Sequence, residues 1–183
     1  MKKSLKKNLE KNLEKNLKEN PNGIPNGIPN EIPNEILEPI YFLSTRAEYY
    51  EFSNFYPSPI NLNDKIWATV EHYFQALKFQ DPDYQELIRQ ARTPRLAKKL
   101  GQTRAILLRD DWETVKDEIM MDAVNAKFSQ HEILKKLLLS TGKRPLIEDN
   151  RKDNYWGSGP RGTGLNKLGK ILERKRDDFN RHG

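Results

Sequence analysis

The 183-residue sequence has no cysteine. A disulfide framework and thiolate metal sites are therefore excluded, and a reducing, cytoplasmic location is the expectation. Histidine is also scarce. His72, His131 and His182 are the only imidazoles, and no two of them have metal-ligand spacing, so no metal site is expected. No apolar run approaches the roughly 20 residues of a membrane span. The early lysines are not followed by the apolar core of a secretory signal, so no membrane association is expected. Nothing in the pattern specifies an oligomeric state.

What is present is basic: 32 Lys and Arg against 26 Asp and Glu, a net charge of +6. Such a balance favours anionic partners, whether phosphorylated metabolites, nucleotides or nucleic acid. Without a motif it is a weak signal for nucleic acid.

Residues 1–38 differ from the rest. Two four-residue repeats follow one another, built on Asn-Leu-Glu-Lys from Asn8 and on Pro-Asn-Gly-Ile from Pro21. The first is read as a weak helix or disorder. The second is read as an extended linker, because proline removes a backbone donor every fourth residue. The tail carries seven lysines and six acids, so most of the net charge belongs to residues 39–183. Those residues are expected to form the folded domain.

Within it, Pro39 to Leu43 reads as a first strand. Pro59–Leu62 and Lys65–Trp67 read as a hairpin turning on Asn63-Asp64. Helices are expected at 82–91, at 94–101 with Pro94 in the favoured first position, and at 112–128 behind Asp110-Asp111. Another is expected from about Gln130 to Ser140, behind the capping box Ser129-Gln130-His131-Glu132. Pro145 to Glu148 reads as a short buried strand, and a last helix runs from about Leu165 to Phe179.

Two stretches look capable of chemistry. The first is Trp67 to Phe79, N-capped by Thr69. At about 100° per residue, Glu71, Gln75 and Lys78 share one face, while Val70, Phe74 and Leu77 form an apolar stripe. That polar face is either a site wall or simply solvated. The second is glycine-rich: Gly157, Gly159, Gly162, Gly164 and Gly169, half of all the glycines, fall in thirteen positions beside Asp153 and Trp156. A glycine turn before a helix offers backbone N–H groups to an anion, with Arg161 and Lys167 in support. The alternative is a tight connection that needs glycine for its φ angles. Neither a Walker A sequence nor a Rossmann unit is present.

Separated motifs in this order resemble the YbiA-like, or NADAR, family of N-glycosidases. They are Phe52-Ser53-Asn54-Phe55-Tyr56-Pro57, Trp67 with Thr69 to Phe79, Asp111-Trp112 with Val115-Lys116 and Met120, Ala126-Lys127-Phe128, Leu146-Ile147-Glu148, Asp153 with Trp156 to Gly159, and Gly164 to Gly169. The resemblance covers about residues 41–180. It implies a compact, mainly helical α+β domain and cleavage of an N-glycosidic bond, with no metal or organic cofactor. The implied small-molecule substrates are phosphoribosyl-aminopyrimidine intermediates of riboflavin biosynthesis or ADP-ribose conjugates. Nucleic acid enters only as an ADP-ribosylated substrate. A module that binds ADP-ribose without cleaving it is the non-catalytic alternative.

Breaking a ribosyl C–N bond develops positive charge on the sugar, which a carboxylate stabilises. Glu71 and Asp153 are the expected catalytic carboxylates, with Glu71 as base or cation stabiliser. Lys78 is expected to hold phosphate or lower the Glu71 pKa, and Arg46 to reach phosphate. Tyr155 and Trp156 are expected to stack on the base, Asn54 and Asn166 to bind ribose hydroxyls, and Gly157 and Gly159 to line the substrate site. Glu148 and His72 are lesser candidates, His72 as a packing residue.

Overall fold

In the computed structural model, residues 37–182 are described, so the repeat readings lie almost wholly outside them. The elements run β1 (Ile40–Phe42), β2 (Ile60–Leu62), β3 (Lys65–Trp67), α1 (Val70–Ala76), α2 (Pro82–Arg89), α3 (Pro94–Gly101), α4 (Trp112–Gln130), α5 (Glu132–Ser140), β4 (Leu146–Glu148) and α6 (Lys167–His182). A single 3-10 turn at Tyr50–Phe52 lies between β1 and β2. This is the mainly helical α+β arrangement expected. Among the described residues, no helix is long and apolar enough to cross a membrane.

Local rules account for much of it. Asn63 and Asp64 both have positive φ (52° and 57°), the twist that a two-residue hairpin requires, and Ile60 pairs with Trp67 across it. Asp81 and Thr93 cap α2 and α3 by accepting backbone N–H bonds, each with proline in the first turn. Thr69 caps α1 in the same way.

Four readings need correcting. α1 stops at Ala76, because Leu77 ends it and leaves Lys78 in the following turn. Its polar face is not solvated either: all seven residues are buried, surrounded by α2, α3, α4 and β3. The capping box at Ser129 does not form. α4 runs on through Gln130, and His131 joins it to α5 without a side-chain cap. Tertiary bonds hold that junction: Gln130 exchanges two hydrogen bonds with the Asn61 backbone, and His131 reaches the Pro59 carbonyl at 2.7 Å. Finally, Asp111 makes no cap bond to α4, because its carboxylate is paired with Arg109.

β1 and β4 form a parallel pair in the register Ile40↔Leu146 to Phe42↔Glu148. The bond from the Asp149 N–H to the Phe42 carbonyl (2.9 Å) extends it by one residue. α6 packs on β4 so closely that a Cβ on Gly169 would lie 2.0 Å from the Leu146 carbonyl oxygen. The core runs from Ile40 and Phe42 through Phe52, Val70 and Phe74 to Met120, Phe128, Leu146, Leu168 and Leu172. Both parallel strands end at the same edge of this core.

Candidate functional site

Just beyond the carboxyl ends of β1 and β4 lies a cavity of about 440 Å3. Leu43 and Ser44 follow β1 into it, Asn54 and Phe55 come from the loop after the 3-10 turn, and α1 supplies Glu71, Phe74 and Gln75. Lys98 and Gln102 come from the end of α3, Met120 from α4, and Glu148, Asn150, Lys152, Asp153 and Trp156 from β4 and the loop after it. Three carboxylates and three lysines (78, 98 and 152) therefore face one space walled by Phe74 and Trp156, whose rings meet edge to face at 5.3 Å.

Glu71 sits deepest. Its backbone N–H donates to the Asn54 carbonyl (3.1 Å), which ties α1 to the facing loop. Its Oε1 accepts from Gln75 Nε2 at 2.8 Å, one helical turn on. Gln75 in turn stands against α3 because Gly101 has no side chain: a Cβ there would fall 2.0 Å from Gln75 Oε1. Burial pushes the Glu71 carboxyl above its ordinary range. Lys98, the Gln75 hydrogen bond and Lys78 pull it down without prevailing, while Asp153 adds to the rise. Lys78 thus has the expected sign on Glu71, but burial outweighs it. Its own ammonium lies 5.6 Å above the Phe74 ring and 5.7 Å above Trp112, and burial lowers its pKa.

Asp153 holds the loop in shape. Its Oδ1 accepts the backbone N–H groups of Tyr155 (2.9 Å) and Trp156 (2.8 Å), which sets the Trp156 ring at the cavity wall. Asn54 also lines the cavity, with its Nδ2 3.4 Å from Met120 Sδ.

Glu71, Asp153, Asn54, Lys78 and Trp156 are thus brought together, whereas five other candidates are not among the lining residues. Arg46 is ion-paired with Asp149 on the surface. Tyr155 turns away: its hydroxyl donates to Asp117 at 2.6 Å, beneath the Lys116 ammonium. Asn166 faces the backbone of β4, where its Nδ2 donates to the Leu146 carbonyl (2.8 Å) and its Oδ1 accepts the Glu148 N–H (3.0 Å). It therefore braces the strand that carries Glu148. Gly157 and Gly159 are bound up in the loop itself: the Gly157 carbonyl accepts from Asn166, and the Gly159 N–H faces the carbonyls of Asn150 and Asp153.

Most backbone donors of the glycine-rich loop are likewise bound up and not free for the expected anion cradle. The backbone N–H groups of Ser158, Gly164, Leu165, Asn166, Lys167 and Leu168 all bond to carbonyls within the loop or β4. Lys167 itself is paired with Asp117 at 2.7 Å. The tight-connection alternative describes this segment.

His72 is a packing residue. Its ring bonds Thr69 Oγ1 (2.8 Å) and the Ala91 carbonyl (3.0 Å), so Nε2 carries the hydrogen, and burial lowers its pKa. Sequence reasoning missed Lys98, Gln102, Asn150 and Lys152. Local pattern does not separate Lys98 from its exposed neighbour Lys99, and only the fold turns it inward. Among the described residues, no cluster of three His, Asp or Glu side chains suits a metal ion.

A family model described as the NADAR domain matches residues 41–180. The N-glycosidase YbiA of Escherichia coli (strain K12) is 46% identical over 140 residues, which span 76% of this chain and 88% of that protein. A riboflavin biosynthesis protein of Vibrio vulnificus (strain YJ016) is 37% identical over 145 residues, 79% of this chain but 40% of that longer protein. The NMR structure of the E. coli protein YbiA matches with a TM-score of 0.73 at 43% identity, covering 79% of this chain and 86% of that one.

Proposed function

The chain belongs to the NADAR family, and from that premise we propose that it cleaves the ribosyl C–N bond of phosphoribosyl-aminopyrimidines formed in riboflavin biosynthesis. It is an N-glycosidase, a hydrolase of N-glycosyl bonds. The choice of substrate is supported by the relative whose name places it in riboflavin biosynthesis. The observation that carries the chemistry is the convergence of Glu71 and Asp153, from distant segments, on one cavity with an aromatic wall and three lysines.

In this reading the sugar sits between the two carboxylates. Their negative charge stabilises the oxocarbenium-like transition state, and one of them takes a proton from the attacking water. Lys78, Lys98 and Lys152 are the cations that meet the phosphate, and the Trp156 face meets the flat base. Neither a metal nor a cofactor is needed for these steps. Phosphate charge keeps such a substrate from crossing a lipid bilayer, so the enzyme has to share its compartment, and the cytoplasm is the proposed location. Residues 39–183 are proposed as the catalytic unit, and the repeat tail has no part in the mechanism.

The test is base release, followed by chromatography, on a phosphoribosyl-aminopyrimidine and an ADP-ribosylated guanine oligonucleotide side by side. Release from the pyrimidine compound is expected. Release from the oligonucleotide alone moves the substrate to modified nucleic acid. Binding of ADP-ribose without release from either substrate makes the protein a binding module. Salt-sensitive binding of unmodified DNA or RNA in place of turnover makes it a nucleic-acid binder.

A further inference from the structure

A third carboxyl group in the cavity is unlike the other two. Glu148 ends β4, and its backbone is fully held: its N–H donates to Asn166 Oδ1 (3.0 Å), and its carbonyl accepts from Asn150 (2.7 Å) and Ser158 (2.8 Å). Its side chain lines the cavity, and its buried Oε2 has no hydrogen-bond partner. Among the described residues no cation is paired with it. Glu71, by contrast, receives the Gln75 amide and lies within the field of two lysines. A carboxyl with one oxygen buried away from any donor holds its proton more tightly than an exposed one, because burial penalises the charged form.

We propose that Glu148 is the proton donor to the departing base. This inference rests on the N-glycosidase reading above and adds a division of labour to it. As the C1′–N bond breaks, its electron pair passes to the base. The Glu148 O–H proton moves to the base, leaving Glu148 as carboxylate. Water then adds to C1′, and its proton goes to Glu71 or Asp153 and returns to Glu148 through solvent. The sum is one water added across one bond. Three rigid backbone bonds aim the donor, and Asn166, which binds no ribose in this arrangement, supplies one of them.

The surrounding charges agree. Burial and then Asp153 push the Glu148 carboxyl up to about 7, Lys98 draws it down, and Glu71 adds to the rise. Lys78 and Lys152 face the same cavity from the turn after α1 and from the loop after β4. On the side packed against α6, Glu173 is engaged with the Leu146 N–H (2.7 Å). An acid with a pKa of about 7 is matched to proton donation near neutrality.

Leaving groups separate this role from a structural one. An aminopyrimidine leaves with a proton, whereas the pyridine of nicotinamide mononucleotide leaves neutral without one. The Glu148→Gln variant is expected to lose about 10²- to 10⁴-fold in kcat on the phosphoribosyl-aminopyrimidine and no more than several-fold on nicotinamide mononucleotide. In the unmodified enzyme, kcat/KM for the aminopyrimidine should fall as pH rises through about 7, and that alkaline limb should be absent from the variant. Equal losses on both substrates, or an alkaline limb that persists in the variant, overturn the assignment. If the pyridinium compound is not turned over, the pH profile alone decides. Failure of the unmodified enzyme to release base from any ribosyl compound is a different result, and it removes the N-glycosidase reading together with this inference.

Discussion

Two segments carry the marks of a functional site, the helix α1 and the glycine-rich loop, and they differ in how their polar groups are bonded. In the loop, backbone donors find carbonyls nearby, Asp153 Oδ1 accepts two N–H groups, and Asn166 uses both ends of its amide on β4. Around α1, Gln75 Oε1 is buried with no partner, Lys78 reaches its nearest carbonyl only at 3.5 Å, and Glu71 lies in a space it shares with Asp153 and Glu148. Buried polar groups without partners are uncommon; among the described residues Gln75 Oε1 and Glu148 Oε2 lie on the cavity, while Ser158 Oγ lies in the loop and Arg176 Nε on α6. The glycines are therefore scaffold that holds Asp153 and Trp156 at the cavity, and α1 is another wall of it.

The largest effect that can break this contrast is at Glu71. Glu71→Gln should fold, since it removes a buried charge, and should lose about 10³-fold in kcat. Unchanged turnover, measured by base release, would take Glu71 out of the mechanism. The next is Gly169→Ala. The new methyl meets the Leu146 carbonyl at 2.0 Å, and overpacking of this kind costs about 1–3 kcal/mol. A thermal melt should show a drop of several degrees. An unchanged melt combined with weaker phosphate binding would restore the anion-cradle reading. The smallest is Arg46→Ala. It removes a surface ion pair worth about 0–1 kcal/mol and should leave KM within about twofold. A tenfold rise in KM would bring Arg46 back to the substrate.

Much of the architecture is written in local chemistry. The hairpin follows from Asn63-Asp64, and α2 and α3 follow from Asp81-Pro82 and Thr93-Pro94, because turn and cap signals act over a few residues. The junction at Ser129–Glu132 escapes local reading because Gln130 bonds to Asn61 of β2 and His131 to Pro59 just before it, far away in the chain. The site divides along the same line. Glu71, Asp153 and Trp156 stand out from their neighbours in sequence. Lys98 and Lys152 do not, since a lysine on a charged surface and a lysine in a cavity are locally alike. Glu148 shows weakly, as a carboxylate at the end of an apolar strand.

The parallel pairing of β1 with β4 has a consequence for the history of each molecule. The paired residues are about a hundred positions apart, and the hairpin and five helices lie between them. Closing so long a loop is among the slower events of folding. On the ribosome, a chain that ends before β4 already contains Glu71 but has neither Glu148 nor Asp153. On the proposed mechanism, hydrolysis therefore begins only with nearly finished molecules, since fragments that stop before β4 lack two of the three proposed carboxyl groups.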